Sequence, residues 1–148
     1  MQFQILKLKK IKLDYPHGTG HGVGYFLNVH EGPQSLSKNN KVFLKEGMIL
    51  SNEPGYYKKG EYGIRIENLV AVTKKQPSDS SKIKHASLCF ETLTLAPIDI
   101  VLVDKTLLTQ SEIDWLNEYH RNVRDNLSPL LDEKTQTWLK LRTAEIIV

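Results

Sequence analysis

The sequence predicts an α+β fold, with strands first and helices after. Three observations carry this. From Val42 to Thr73 the chain is rich in Ile, Val and Tyr and is interrupted by Gly-Tyr-Tyr-Lys-Lys-Gly, a composition suited to paired strands. From Thr109 onward apolar residues recur three and four apart, the period of an α-helix. There are no internal repeats and no second apolar block, so 148 residues are expected to build one core.

In chain order, "QFQILKLKKIKL" over residues 2–13 fits both periods. Leu6 and Leu8 alternate like a strand, whereas Phe3, Leu6, Lys10 and Leu13 mark a helix face, and helix is the preferred reading. A glycine-rich stretch and a polar loop, "GPQSLSKNN", follow. "MILSNEPGYY" and "YGIRIENLVAVT" read as strands, residues 74–87 as a polar loop or a long hairpin tip, and "LCFETLTLAPI" as another strand closed by Pro97. Cys89 is expected to be a buried, inert thiol of that strand. After a short bridge, "DKTLL", Thr109 and Glu112 have the spacing of a capping box. Ile113, Leu116, Tyr119, Val123 and Leu127 then form one helix face, which Ser128-Pro129 ends. Asp132 is placed to cap a second helix carrying Trp138, Leu139 and Leu141.

Composition removes several function classes. The net charge of +3 is small and scattered, and no nucleic-acid motif accompanies it. A single cysteine excludes an internal disulfide framework and suits a reducing compartment. No apolar run approaches the ~20 residues of a membrane span, and the N-terminus has no secretory pattern. A cytoplasmic domain is expected.

The chemistry concentrates in "HGTGHGVGYFLNVHEGPQSLS", which holds three of five histidines and five of nine glycines. Glycine at this density opposes a helix, by about 1 kcal/mol per residue relative to Ala. In extended backbone His17, Thr19 and His21 share one face, and glycines of the other parity permit close approach of a backbone or a ligand. The spacing is not that of a phosphate cradle, and a hairpin with solvated histidines is the plain alternative. Two carboxylates weigh against it. Glu53 ends the apolar run "GMILSNEPG", and Glu67 lies in "YGIRIENLVAV" between Ile66 and Leu69. A buried carboxylate needs a partner or a cation. Arg65 offers an ion pair; a cation shared by two glutamates and a histidine is the other solution. Mixed oxygen and imidazole ligands suit Mn, Fe, Co or Zn rather than Ca.

"HGTGHGVGYFLNVHEGP", "LKEGMILSNEPGYY", "GIRIENLVAVT" and "FETLTLAPID" together resemble successive motifs of the Xaa-Pro aminopeptidases, in the pita-bread metallopeptidase superfamily. The tail "LTQSEIDWLNEYHRNVRDNLSPLL" resembles that of the longer members, so the resemblance spans about residues 13–145. It implies the C-terminal half of a pita-bread fold over residues 1–103, with a helical extension over 104–148 packed on it. It implies that His21, Glu53 and Glu67 are metal ligands, Glu67 bridging two divalent ions, with Mn first and Zn or Co as alternatives. His17 and His30 would line the substrate site, Glu53 would also relay a proton, and Arg65 and Tyr57 would support the metal glutamates. In this reading the glycines let the backbone pass close to the metals.

The implied reaction is hydrolysis of the bond between an N-terminal residue and a following proline by a metal-activated water. Creatinase-like chemistry has the same ligands. The two aspartate ligands of the superfamily have no counterpart, since Asp14 is the sole Asp before His17. The chain is therefore expected to be a fragment of such an enzyme, inactive by itself, holding at most one metal weakly, and complemented by the missing N-terminal half. Its substrate class would be peptides with proline second, and its C-terminal region would offer a homodimer surface. The alternatives are a non-catalytic folded module or a decayed remnant that keeps the self-association tail.

Overall fold

A computed structural model describes residues 14–75 and 87–147. The helical reading of residues 2–13 and residues 76–86 of the expected polar loop lie outside them. The fold is α+β. The chain divides into two compact units between Thr94 and Leu95, ahead of the expected boundary at 103/104. The single core anticipated from the sequence is two, one in each unit.

Among the described residues the first unit has seven strands: β1 (Gly20–Val23), β2 (Ser35–Leu36), β3 (Ile49–Asn52), β4 (Gly55–Lys58), β5 (Tyr62–Arg65), β6 (Asn68–Lys75) and β7 (Ser87–Thr92). Five form an antiparallel sheet in the order β2-β1-β3-β6-β7, and β4 pairs with β5 as a separate hairpin. Along β6, Asn68, Val70 and Val72 are buried while Leu69 is exposed, the two-residue period of a strand with one covered face. Leu50, Val70 and Val72 form the core, with Leu36, Leu44 and Met48 packed against them.

The two runs read as β are each broken, the first at Glu53, where the sequence ends its apolar part. "MILSNEPGYY" splits at Glu53-Pro54 and "YGIRIENLVAVT" at Ile66-Glu67. Proline has no amide to give a ladder. The β3–β6 register pairs Asn52 with Asn68, so the next residues, Glu53 and Glu67, face each other where the ladder stops. The β4–β5 register resumes at Gly55 opposite Arg65. Both ends of the expected polar loop, Lys74–Lys75 and Ser87, belong to strands. β7 is an edge strand with Leu88 and Phe90 exposed, so Cys89 is half-buried rather than buried, with Sγ 3.1 Å from the Thr73 hydroxyl.

The second unit is organised by α1 (Gln110–Leu127). Its capping box forms, with the Glu112 carboxylate accepting the Thr109 amide at 2.7 Å. Ile113, Leu116, Tyr119 and Val123 are buried as the spacing predicts, and Leu127 packs partly against them. Segments on either side have no sheet partner, and α1 side chains take up their backbone groups. The Tyr119 hydroxyl donates to Ala96 O, the Ile98 amide donates to His120 Nε2, and Asn117 binds both backbone groups of Ile146. The second helix, α2 (Glu133–Arg142), is capped by Asp132, which accepts the Thr135 amide at 2.9 Å. Of the three apolar residues the sequence places on it, Leu139 is buried and Trp138 and Leu141 are exposed. No helix among the described residues is long and apolar enough to cross a membrane.

Candidate metal centre

The site forms where the sheet ladder ends. β1 supplies His21, the residue after β3 supplies Glu53, and the residue before β6 supplies Glu67. One ligand atom from each of His21, Glu53 and Glu67 lies within 4.8 Å of the others. Two donors each ~2.0–2.2 Å from one ion are at most about 4.4 Å apart, so one cation fits after a small side-chain adjustment. Two facing carboxylates repel, and a cation between them removes that cost.

The donors are partly set for this. His21 Nδ1 lies 2.9 Å from Gly22 O, an acceptor only, so Nδ1 carries a proton, and in the neutral ring that a metal ligand requires the lone pair is on Nε2. That Nε2 faces Glu53 Oε1 at 3.4 Å. Glu53 is 8% exposed, and its Oε1 accepts the Ser51 hydroxyl at 2.9 Å. Its other oxygen accepts from Arg65 Nη1 at 2.8 Å. Glu67 differs from the sequence expectation: it is exposed, outside any strand, and its Oε2 is 3.9 Å from Arg65.

Arg65 also reaches the remaining candidates. Its Nε donates to the Tyr57 hydroxyl oxygen at 2.9 Å, which leaves the Tyr57 proton for His17 Nε2 at 2.8 Å. His17 Nδ1 then donates to Gly18 O at 2.7 Å. The bond to Tyr57, followed by the neighbouring Glu53 and Glu67 carboxylates, pushes the guanidinium still higher than its ordinary range, so Arg65 stays charged. His30 is exposed and sets its ring edge-on to His21, with centroids 4.3 Å apart. The structure thus brings His17, His21, His30, Glu53, Tyr57, Arg65 and Glu67 into one connected group.

The glycines serve the first of the two neighbours expected, a backbone. A Cβ on Gly20 would lie 1.8 Å from Ser51 O, and one on Gly22 would lie 2.1 Å from Glu31 O. They admit neighbouring backbone, rather than clearing space for a ligand. Ser51 is the residue that sequence reasoning missed. Its one signal is parity, two residues before Glu53 and so on the same strand face.

Comparison with known proteins identifies the family and the fold. The pattern described as "Metallopeptidase family M24" matches residues 3–74, and that described as "C-terminal region of peptidase_M24" matches residues 86–146. A probable Xaa-Pro aminopeptidase P of Coprinopsis cinerea is 51% identical over 140 residues, covering 90% of this chain and 22% of the relative. Aminopeptidase P2 of Arabidopsis thaliana is 53% identical over 136 residues, covering 89% of this chain and 19% of the relative. The X-prolyl aminopeptidase of Caenorhabditis elegans, described as a cytosolic enzyme with a di-nuclear active site, superposes with a TM-score of 0.82 at 41% identity. It is matched over 94% of this chain and 23% of its own. The chain therefore spans about a fifth of the length of the curated relatives it matches. The α+β architecture is that of the C-terminal half of a pita-bread fold.

Proposed function

The chain belongs to metallopeptidase family M24, and from that premise we propose that it supplies the His/Glu/Glu part of a dinuclear metal centre. The enzyme so completed removes the N-terminal residue from peptides with proline in second place, in the cytoplasm, with manganese as the favoured ion. The single observation that carries this is the convergence of His21, Glu53 and Glu67 on a volume of one ion's size.

When bound, divalent metal supplies an activated water and polarises the scissile carbonyl. This chain's residues prepare for that. Gly22 O fixes the His21 tautomer, so Nε2 is presented unprotonated. Arg65 holds one oxygen of Glu53 and leaves Glu67 less tightly engaged. Glu53 is the carboxylate placed to accept and pass a proton. His30, beside His21, and His17, on the Tyr57 side, flank the place for the substrate carbonyl. Both His17 ring nitrogens are engaged, so substrate contact there displaces the Tyr57 bond.

The aspartates that the resemblance calls for come from a complementary polypeptide segment. These 148 residues alone would offer a second ion no ligand beyond those of the first, and would be inactive. A second reading rests on one distance: Arg65 already neutralises Glu53 at 2.8 Å, as a purely structural ion pair would. Manganese titration separates the two. The wild-type chain should bind Mn2+ and Glu67→Gln should not, and an Xaa-Pro peptide should be cleaved once a relative's N-terminal half is added. A wild-type chain whose affinity equals that of Glu67→Gln overturns the metal reading in favour of the ion pair.

A further inference from the structure

We infer that Ser51 is a positioning residue that sets the Glu53 carboxylate for a divalent cation, an inference that rests on the metal reading of the site. Ser51 is fully buried, on the central strand β3. Its hydroxyl makes two bonds of 2.9 Å, one with the His21 amide and one with Glu53 Oε1. The chemistry of the partners fixes their direction. An amide only donates and an ionised carboxylate only accepts, so the hydroxyl accepts from His21 and donates to Glu53. One small side chain therefore ties the strand that carries the imidazole to the strand that carries the carboxylate.

The two oxygens of Glu53 have separate tasks. Oε2 is held by Arg65, and Oε1 is held by Ser51 on the side facing His21 Nε2. With both held, the carboxylate plane is fixed and one edge points toward the place where His21 and Glu67 converge. Without the hydroxyl, Oε1 has no donor to keep it there, and the carboxylate is free to turn both oxygens onto the Arg65 guanidinium, a favoured two-bond geometry. The His21 amide loses its acceptor in the same step. Groups that orient a metal ligand from behind change affinity by about 10–100-fold when removed.

The test uses two substitutions of the same shape, Ser51→Thr and Ser51→Val, which differ in the hydroxyl alone. Free Mn2+ is counted by its paramagnetic resonance signal, folding is followed by circular dichroism, and bound Co2+ is read from its visible absorption. Wild type and S51T should bind Mn2+ within threefold of each other with the same Co2+ spectrum. S51V should bind at least tenfold more weakly, with a shifted Co2+ spectrum, while still folding, at a melting temperature somewhat below that of S51T because the His21 amide has lost its acceptor. If the added methyl unfolds both, Ser51→Ala against wild type gives the same comparison. S51V matching S51T in affinity and spectrum, or S51A matching wild type, overturns the role of Ser51 and leaves the metal reading intact. A wild-type chain that binds no Mn2+ overturns both.

Discussion

Adding one carbon at Gly20 should break the metal centre without touching a ligand. A Cβ there would sit 1.8 Å from Ser51 O and 2.8 Å from Ser51 C, where 3.4 Å begins ordinary contact. Both atoms are backbone of the central strand β3, so no side-chain rotation relieves the clash. β1 and β3 must part by about 1.5 Å at this point. The bond from the Glu53 amide to Thr19 O, now 2.7 Å, and that from the His21 amide to the Ser51 hydroxyl, now 2.9 Å, then pass out of reach. A buried polar group left unpaired costs about 1–3 kcal/mol, and forced overpacking about 1–3 more. Gly20→Ala should therefore lose about 2–6 kcal/mol, a large share of the ~5–15 kcal/mol that holds a typical domain. Gly18→Ala is the control. Its Cβ would stand 3.5 Å from Ser37 Cβ, an ordinary contact, and replacing glycine where the backbone permits it stabilises by about 0.4–1 kcal/mol. Urea unfolding of the purified variants, followed by circular dichroism, reads both signs, and Mn2+ titration reads the site. Equal unfolding midpoints for Gly20→Ala and Gly18→Ala would refute the close-approach argument.

Two further outcomes concern the helical unit. Burial, together with the nearby Arg124 charge, pushes the His120 imidazole below its ordinary range, and the Ile98 amide needs its Nε2 unprotonated. The unfolded chain then takes up this proton first, so His120 contributes stability that is present above about pH 6.5 and is lost as pH falls toward its depressed folded value. The fall in urea midpoint between pH 7.5 and pH 5.5 should be smaller in His120→Gln than in wild type, and equal slopes would refute this. Leu139 is 1% exposed and is the buried residue of α2, so Leu139→Ala should cost about 2–5 kcal/mol. Trp138→Ala, at a half-exposed position, should cost less than Leu139→Ala in the same denaturation assay.

Local signals in this chain were legible because their causes lie within a few residues. The α1 face from Ile113 to Val123, the Thr109–Glu112 cap and the Asp132 cap are all contacts within one or two turns of helix, and spacing alone reveals them. The residue types suited to a cation were also legible, because imidazole and carboxylate side chains beside apolar runs are chemically conspicuous. The expected single core was not found because the first unit buries just three apolar residues of its own cluster, Leu50, Val70 and Val72, apart from the helical cluster. Trp138 and Leu141 share a helix with Leu139 but stay exposed, since burial depends on what stands opposite.

The sequence by itself determined the α+β order, the helix limits in the tail, and the identities of His21, Glu53 and Glu67. Tertiary structure alone decided how they meet. Both long β runs break at the glutamates, and cross-strand register sets Glu53 against Glu67 where pairing stops. The His21 amide finds the Ser51 hydroxyl thirty residues away, across a gap that a glycine keeps narrow. Hydrogen bonds and close contacts of that separation have no local spacing to announce them. They exist once strands from distant parts of the chain lie side by side, which is why residue types suited to a cation could be read from the sequence and their geometry could not.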